Sequence, residues 1–254
     1  MQTDSGSGVQ SIDRALQLVE RLADAGGSMG LAQLQAATGL PLPTVHRLLR
    51  SLAHNGYVRQ DPARRYTLGP RLIRLGEEAG RELGSWAKPR LAELVAEIGE
   101  TANMALLEGD AVVYVAQVPS AHSMRMFTEV GRRVDAHCTG VGKALLSQLP
   151  DRHVLELLGR TGMPAQTSRT LTDPSALLAE LSEVRDQGWA MDDAEQEVGV
   201  RCVAVPVAGA PTQAALSISG PSGRITVERV AQIAPILQRV AERLAADLDG
   251  NPPD

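Results

Sequence analysis

Apolar residues recur every three or four positions between residues 10 and 55, a spacing that predicts amphipathic helices. The first predicted helix has one apolar face, formed by Ile12, Leu16, Val19 and Leu22. A glycine pair at 26–27 ends that helix, and a shorter second helix runs from Leu31 to the glycine at position 39. A third helix is predicted around Pro43, because proline fits the first helical turn, where the backbone amide has no intrahelical partner.

The third predicted helix, TVHRLLRSLAHNG, separates apolar from polar side chains along its whole length. Its inner face is predicted to contain Val45, Leu48, Leu49 and Leu52. The opposite face carries Arg47, Arg50 and His54, with Thr44, His46 and Ser51 on its flanks. One side of this helix is therefore expected to be buried, and the other to present a basic surface to solvent.

Two short strands, YVRQ and RRYTL, follow and are joined by the turn at 61–63, which predicts a β-hairpin with arginines at its tip. Helix, helix–turn–helix and hairpin, in that order, predict a winged helix-turn-helix domain. In such a domain the second helix of the pair enters the major groove of DNA, and a basic wing lies against phosphates or the minor groove. The candidate DNA-contacting residues are Thr44, His46, Arg47, Arg50, Ser51, Arg64 and Arg65.

The charge distribution favours a polyanionic partner for this region. The whole chain has a formal net charge of −5, but residues 31–75 carry seven arginines against Asp61, a net of +6, and residues 76–254 carry −9. A basic block on an acidic chain indicates a local polyanion site. A bare charge run is most often only a solvated face, so the position of the arginines on the helix and wing is what favours double-stranded DNA.

After Glu100, strand-like segments alternate with helical ones. Strands are predicted at ANMALLEG, AVVYVAQV, SMRMFTEV, CVAVPVAG and QAALSISG. Helices are predicted at GVGKALLSQL, RHVLELLG and SALLAELSEVRDQG, and from about residue 226 to 247. The fold class is therefore predicted as α+β, with a largely antiparallel sheet covered by helices.

These patterns divide the chain into five parts. They are a disordered tail at 1–9, a winged helix-turn-helix domain at 10–69, a helical segment at 70–86, an α+β domain at 87–248 and a second tail at 249–254.

Composition and missing motifs exclude several function classes. Hydrophobic residues make up 43% and charged residues 22%, a globular balance without the roughly 18-residue apolar run of a membrane helix. No secretory signal is visible at the start, so a cytoplasmic protein without a membrane partner is expected. The two cysteines form no CxxC pair, and His122, His137 and His153 share no metal-ligand spacing, so no metal or cofactor is predicted.

No catalytic constellation is predicted either. TGVGKALL departs from a phosphate-binding loop at His137 and at Ala144, where glycine and Ser or Thr are needed, and no GxSxG occurs. The alternative hypothesis is a small-molecule hydrolase or lyase with a basic accessory domain, using Cys138 or Cys202 as its nucleophile. That chemistry would need an activating base and a lowered thiol pKa.

The segment GLPLPTVHRLLRSLAHNGYVRQDPARRYTLGPRLIRLG resembles the DNA-binding half of IclR-type bacterial transcription regulators. Three later segments, VGRRVDAHCTGVGKALLSQLP, DDAEQEVGVRCVAVPV and ALSISGP, are similar to signatures of the same family, so the resemblance covers residues 10–247. Pro43 stands where relatives often have serine. Asp135, where proline is usual, and Cys138 also depart from the family pattern.

The resemblance implies a linker helix at 70–86 that helps to form a dimer, and a GAF-like effector-binding domain at 87–248. It also implies that the protein assembles as a homodimer or homotetramer. It also implies an effector pocket formed by Ser123, Met126, Gly140, Val141, Asp192, Cys202, Ser217 and Ser219.

For four of these positions, the chemistry of the residue itself supports a place in the pocket. Gly140 and Val141 open a predicted helix, whose free N–H groups suit a carboxylate. Ser217 and Ser219 lie two apart in a strand and so face the same side, although both hydroxyls could simply bond the backbone.

Other pocket positions have competing interpretations. Asp192 could accept from a ligand donor, cap a turn or pair with Arg201. Cys202 could line the cavity or be a small buried hydrophobe. An apolar wall for aromatic acids could come from Met104, Leu106 and Met126.

The sequence thus predicts a ligand-responsive DNA-binding transcriptional regulator, acting as a repressor on a roughly palindromic operator. Its effector is predicted to be a small carboxylate or ureide, such as glyoxylate, an allantoin-like compound or a hydroxy acid.

Overall fold

A computed structural model describes residues 9–83, 87–126, 128–209 and 212–249 of the chain. Residues 1–8 and 250–254 of the two predicted tails lie outside the described residues. The chain divides into two compact units, residues 1–79 and 80–254. The finer five-part division stays a prediction.

The first unit contains the predicted helices and wing, and its elements agree closely with the expected bounds. They are α1 (Gln10–Asp24), β1 (Ser28–Met29), α2 (Leu31–Thr38), α3 (Leu42–His54), β2 (Val58–Gln60), β3 (Tyr66–Leu68) and α4 (Arg71–Leu83), the last of which continues into the second unit. Strand β1 was not predicted. It pairs antiparallel with β3 and widens the wing to a sheet with the order β1-β3-β2.

The core of the first unit corrects the predicted inner face of α1. Leu18 and Leu22 are fully buried against α2 and α3, whereas Ile12 and Leu16 are more than half exposed. Ile12 and Leu16 instead line an apolar cleft of about 580 Å³, together with α3 and α4 side chains such as Leu72. Helix α1 therefore has two apolar faces, and periodicity alone could not tell which of them is buried.

The second unit is built from a six-stranded sheet and helices on both of its faces. Its elements are α5 (Lys88–Ile98), β4 (Thr101–Glu108), β5 (Ala111–Val118), β6 (Arg133–Val134), α6 (Gly140–Leu146), α7 (Asp151–Thr161), α8 (Pro174–Gln187), β7 (Ala190–Asp193), β8 (Val200–Val207), β9 (Ala214–Pro221) and α9 (Val227–Asp249).

All neighbouring strands of this sheet are antiparallel, in the order β6-β5-β4-β9-β8-β7. Alternate residues of each strand face opposite sides. Met104 and Leu216 pack with α5 and α9, whereas Ala105 and Ala215 pack with α6, α7 and α8. The predicted α+β class, with a largely antiparallel sheet covered by helices, is confirmed.

Two segments differ from the predicted elements. SMRMFTEV is not a strand: the described residues of 119–132 form an irregular connection, and β5 pairs with Arg133–Val134 instead. Strand β7 is not among the predicted strands, and it forms where Asp192 and Asp193 pair with Cys202 and Arg201 of β8.

Among the described residues, no helix combines the length and apolar character that crossing a bilayer requires.

Candidate functional site

The basic face of α3 is oriented by the burial of its opposite face. Val45 and Leu49 are fully buried in the core of the first unit. Because a helix turns by about 100° per residue, this burial directs Arg47 and Arg50 away from the core. Both arginines are exposed, as are His46 and His54.

Arg47 and Arg50 also differ from nearby arginines in having no hydrogen-bond or ion-pair partner within the described part of the chain. By contrast, the Nε of Arg59 donates to the Thr67 hydroxyl at 3.0 Å. Arg71 donates to the Asn55 carbonyl at 3.2 Å and lies 5.3 Å from the centre of the Tyr57 ring. The guanidinium groups of Arg47 and Arg50 are thus free to bind another molecule.

The flanking positions of α3 are less open than predicted. Thr44 is half-buried, and Ser51 is exposed but lines the apolar cleft beside α1 and α4. Their contact with DNA stays a prediction.

At the tip of the wing, two adjacent arginines have different roles. The Asp61 carboxylate accepts from the Arg65 amide at 2.8 Å, and the Arg65 carbonyl accepts from the Asp61 amide at 2.8 Å, which closes the turn. Arg64 has a φ of 60°, a left-handed conformation that is unfavourable for a residue with a side chain. The Arg64 guanidinium is exposed and has no partner among the described residues, whereas the Arg65 guanidinium donates to the Ser28 carbonyl of β1 at 2.5 Å.

In the second unit, a group of polar side chains lies on the sheet face that packs against α6. Asn103 Nδ2 donates to the hydroxyl of Ser219 at 3.0 Å and lies 3.4 Å from that of Ser217. Gln117 Nε2 donates to Asn103 Oδ1 at 3.0 Å. The two predicted serines are therefore brought together, and they bond a side chain instead of the backbone.

Asn103 and Gln117 are candidate site residues that the sequence analysis did not identify. The signal was present in β4, where Asn103 interrupts an apolar strand at a position two before Ala105 and thus on the same face. The Asn103 side chain is only 1% exposed, and a buried polar side chain needs hydrogen-bond partners. Gln117 of β5 and Ser219 of β9 are these partners.

Cys202 joins this group to the start of α6. It lies opposite Ser219 in the sheet, and burial raises the pKa of its thiol, a shift that the nearby Ser217 hydroxyl and Val141 amide oppose. A Cβ placed on Gly140 would lie 3.0 Å from the same sulfur, so glycine permits the close approach. The structure thus places Gly140, Val141 and Cys202 beside the two serines.

The amides at the start of α6 differ in their surroundings. Gly142 donates to the N-cap of the helix, the Thr139 hydroxyl, at 3.1 Å, and the Val141 amide lies near the Cys202 thiol. The Gly140 amide has no protein acceptor among the described residues. Contact of Gly140 and Val141 with a carboxylate stays a prediction.

Asp192 is almost fully buried and caps a turn. Its Oδ1 accepts from the Glu195 amide at 2.7 Å and lies 3.4 Å from the Gln196 amide. Burial raises the pKa of Asp192 to about 7, although these amides oppose the shift. Arg201 pairs with Asp193 and not with Asp192, so capping is the interpretation that the structure supports.

Lys143 forms a second buried network next to this turn. Its Nζ lies 2.5 Å from a Glu180 oxygen and 2.6 Å from Glu195 Oε1, and its side chain has no exposed surface. The Oε2 of Glu195 is buried with no hydrogen-bond partner among the described residues. In the sequence, Lys143 stands out only as part of TGVGKALL, a segment that does not match a phosphate-binding loop.

The connection at 119–132 contains the two remaining predicted pocket residues. The carbonyl of Met126 accepts from the Thr101 hydroxyl at 3.1 Å, which places it at the start of β4 near Asn103. Ser123 is exposed, and no described bond joins it to the polar group. The predicted apolar wall is wrong at Met104 and Leu106, because both face the α5 and α9 core on the other side of the sheet.

Burial raises the pKa of both thiols, Cys138 and Cys202, to about 12. A nucleophilic cysteine needs the opposite shift. This finding argues against the alternative hypothesis of a thiol hydrolase or lyase.

Comparison with known proteins agrees with this architecture. The family described as "IclR helix-turn-helix domain" matches residues 11–62, and "Bacterial transcriptional regulator IclR C-terminal" matches residues 79–246. Transcriptional repressor IclR of Escherichia coli (strain K12) is 36% identical over 249 residues, which cover 95% of this chain and 91% of that protein. The Pca regulon regulatory protein of Pseudomonas putida is 37% identical over 248 residues, 94% of this chain and 84% of that protein.

Solved structures show the same fold. A transcriptional regulator from Rhodococcus sp. RHA1 is 32% identical with a TM-score of 0.78, covering 95% of this chain and 99% of its own. An IclR transcriptional regulator from Alicyclobacillus acidocaldarius is 28% identical with a TM-score of 0.82, covering 94% of this chain and 98% of its own. Since the family matches fall in both units and the relatives align over nearly the whole chain, the protein belongs to the IclR family of bacterial transcriptional regulators.

Proposed function

We propose that this protein is a cytoplasmic repressor that holds a roughly palindromic operator through α3 and the wing, and releases it when a small metabolite binds in the second unit. The observation that carries the proposal is the pair of exposed, unpaired guanidinium groups at Arg47 and Arg50, on the helix whose opposite face is buried.

The DNA contacts follow from the chemistry of these groups. Arginine can donate two parallel hydrogen bonds to the O6 and N7 of a guanine in the major groove. Arg64, which projects from the wing in an unfavourable backbone conformation, suits the phosphates or the narrow minor groove. Two copies of α3 must meet successive major grooves about one helical turn apart, so a homodimer, or a homotetramer built from dimers, is the expected DNA-binding form.

The polar group on the sheet supports a small, polar effector. It offers neutral donors and acceptors from Asn103, Gln117 and Ser219, and Asp192 has a pKa near neutrality. The charge of Lys143 is already matched by Glu180 and Glu195. Such a lining fits a ureide with alternating N–H and C=O groups, or a small hydroxy acid or glyoxylate held by hydroxyl and amide donors. An aromatic acid loses support, because Met104 and Leu106 face away.

Release of DNA requires that the effector bind the DNA-free conformation more tightly than the DNA-bound one. A ligand with equal affinity for both conformations does not change the equilibrium between them. A titration tests this. The full-length protein bound to a labelled fragment of its own upstream region is titrated with allantoin, glyoxylate and glycolate, and fluorescence anisotropy reports release.

The expected result is release by at least one of these compounds, together with a rise in unfolding temperature when the same compound is added without DNA. A compound that raises the unfolding temperature without releasing DNA would contradict the proposed release mechanism but support a binding site for that compound. If none of the three compounds releases DNA or raises the unfolding temperature, the proposed effector class is wrong.

A further inference from the structure

Three side chains with metal-binding atoms converge just before α6. A carboxylate oxygen of Asp135, a ring nitrogen of His137 and the sulfur of Cys138 all lie within 4.8 Å of one another. His137 and Cys138 are buried, and Asp135 is partly exposed. The spacing between histidines does not indicate this group, because its three members lie within four consecutive residues, 135–138.

The histidine is held in the tautomer that a metal requires. His137 Nε2 lies 3.1 Å from the carbonyl oxygen of Pro164. A carbonyl oxygen can only accept, so Nε2 carries the proton and Nδ1 keeps its lone pair. A hydrogen bond from the second ring nitrogen to a backbone carbonyl is the usual support of a metal-binding histidine.

The other two side chains are supported as well. Gln166 Nε2 donates to Asp135 Oδ2 at 3.0 Å, which fixes the carboxylate and leaves its other oxygen to coordinate. The Cys138 thiol donates to Gln196 Oε1 at 3.0 Å, and rotation of that amide would let it donate to a thiolate. Outer contacts of this kind orient metal ligands.

The group also has an entry path. A cavity of about 540 Å³ is lined by Asp135, Gln166 and Gln196, with Arg132 and Arg133 on its wall. Of the three side chains, Asp135 is the one that lines this cavity, so solvent or an anion there would approach a bound cation from the side of the carboxylate.

We propose that Asp135, His137 and Cys138 bind a zinc-like divalent cation, with the fourth position open to this cavity. One sulfur, one nitrogen and one oxygen suit a borderline-soft cation, and three protein ligands with one open position is a known zinc arrangement. Bonds of about 2.0–2.3 Å place tetrahedral ligand atoms about 3.5 Å apart, so separations of up to 4.8 Å must close by up to about 1.3 Å. The inference goes beyond the proposed repressor function and does not rest on it.

Cobalt is the probe, because a cobalt–thiolate bond absorbs in the near ultraviolet. Untagged full-length protein is treated with a chelator, desalted and titrated with CoCl2 alone. We expect one cobalt per chain, a thiolate-to-cobalt band and displacement by ZnCl2. Cys138→Ser should lose the band and weaken binding at least tenfold, whereas Cys202→Ser, which removes the other buried thiol, should keep it.

Asp135→Asn tests the site without disturbing a fully buried position. It should weaken cobalt binding at least tenfold while the circular dichroism spectrum stays unchanged, because the variant differs by one charge and keeps the side-chain shape. The proposal is overturned if the wild type binds no stoichiometric cobalt, if the band persists in Cys138→Ser, or if Asp135→Asn binds cobalt as tightly as the wild type.

Discussion

Asn103 of β4 donates to the hydroxyl of Ser219 of β9 at 3.0 Å, and the two residues lie on neighbouring strands of the sheet face that packs against α6. Asn103 also accepts from Gln117. It is therefore the residue through which three strands of the polar group are connected.

The first prediction concerns this amide. Asn103→Ala should abolish effector-induced release of DNA, since it removes donors and acceptors from the centre of the group, while DNA affinity without effector stays within about twofold. Gln187→Ala, which removes an exposed amide at the end of α8, is the matched control. Anisotropy titrations measure both properties, and a normal effector response of Asn103→Ala would remove the polar group from the effector site.

The second prediction concerns the buried ammonium group of Lys143. Lys143→Met leaves Glu180 and Glu195 without their cation, and removing one partner of a buried pair typically costs about 3–5 kcal/mol. Arg133→Ala is the control, because its ion pair with Glu108 is more than half exposed on both sides and should contribute less than about 1 kcal/mol. Urea denaturation compares the two free energies of unfolding. Equal losses would show that the network does not stabilise the fold.

The third prediction follows from the raised pKa of Asp192, about 7 in the folded protein. The folded state holds this proton more tightly than the unfolded state does, so the contribution of Asp192 to stability falls as pH rises from the unfolded value of about 4 towards 7. Glu195 adds to the raised pKa and Lys143 opposes it.

Asp192→Asn has no such charge and keeps an oxygen that can accept from the Glu195 amide. The stability of the variant relative to the wild type should therefore increase between pH 5 and pH 8. Urea denaturation at these two pH values measures the difference, and a difference that is constant or falls with pH would contradict the shift.

The fourth prediction separates backbone strain from DNA contact at the wing. Arg64→Gly should stabilise the first unit by up to about 1 kcal/mol, because glycine adopts the left-handed conformation without a Cβ clash. The same change should weaken DNA binding, because it removes an unpaired cation. Arg64→Asn also tolerates this conformation and serves as a second variant. Unchanged DNA affinity in both variants would show that Arg64 does not reach DNA.

Helices α1 and α3 were predictable because each carries a 3.6-residue apolar period, and α1, α2 and α3 each end at a glycine or an Asn-Gly pair. Strand β1 was not, since two residues are too few to show a period, and its pairing with β3 joins positions such as Met29 and Tyr66 that are far apart in sequence. The apolar repeat of α1 did not reveal which of its two apolar faces meets α2 and α3.

The candidate effector site was predictable only in part. The shared orientation of Ser217 and Ser219 followed from the two-residue period of a strand. Their bonds to Asn103 required the register between β4 and β9, which depends on contacts more than 100 residues apart. The same period shows why Met104 cannot belong to the site, because it alternates with Asn103 and faces the opposite core.

The most direct test of the central claim is the salt dependence of DNA binding. Anisotropy titrations with a fragment of the upstream region, at several salt concentrations, should show affinity falling steeply with salt for the wild type and for Arg21→Ala, an exposed arginine on α1. If Arg47 or Arg50 contacts a base, its substitution by alanine should weaken the free energy of DNA binding by about 1–3 kcal/mol. If it contacts a phosphate, the substitution should reduce the slope of log affinity against log salt concentration by about 0.9. Salt-insensitive binding by the wild type, or two α3 variants indistinguishable from Arg21→Ala, would contradict the assignment of α3 to DNA.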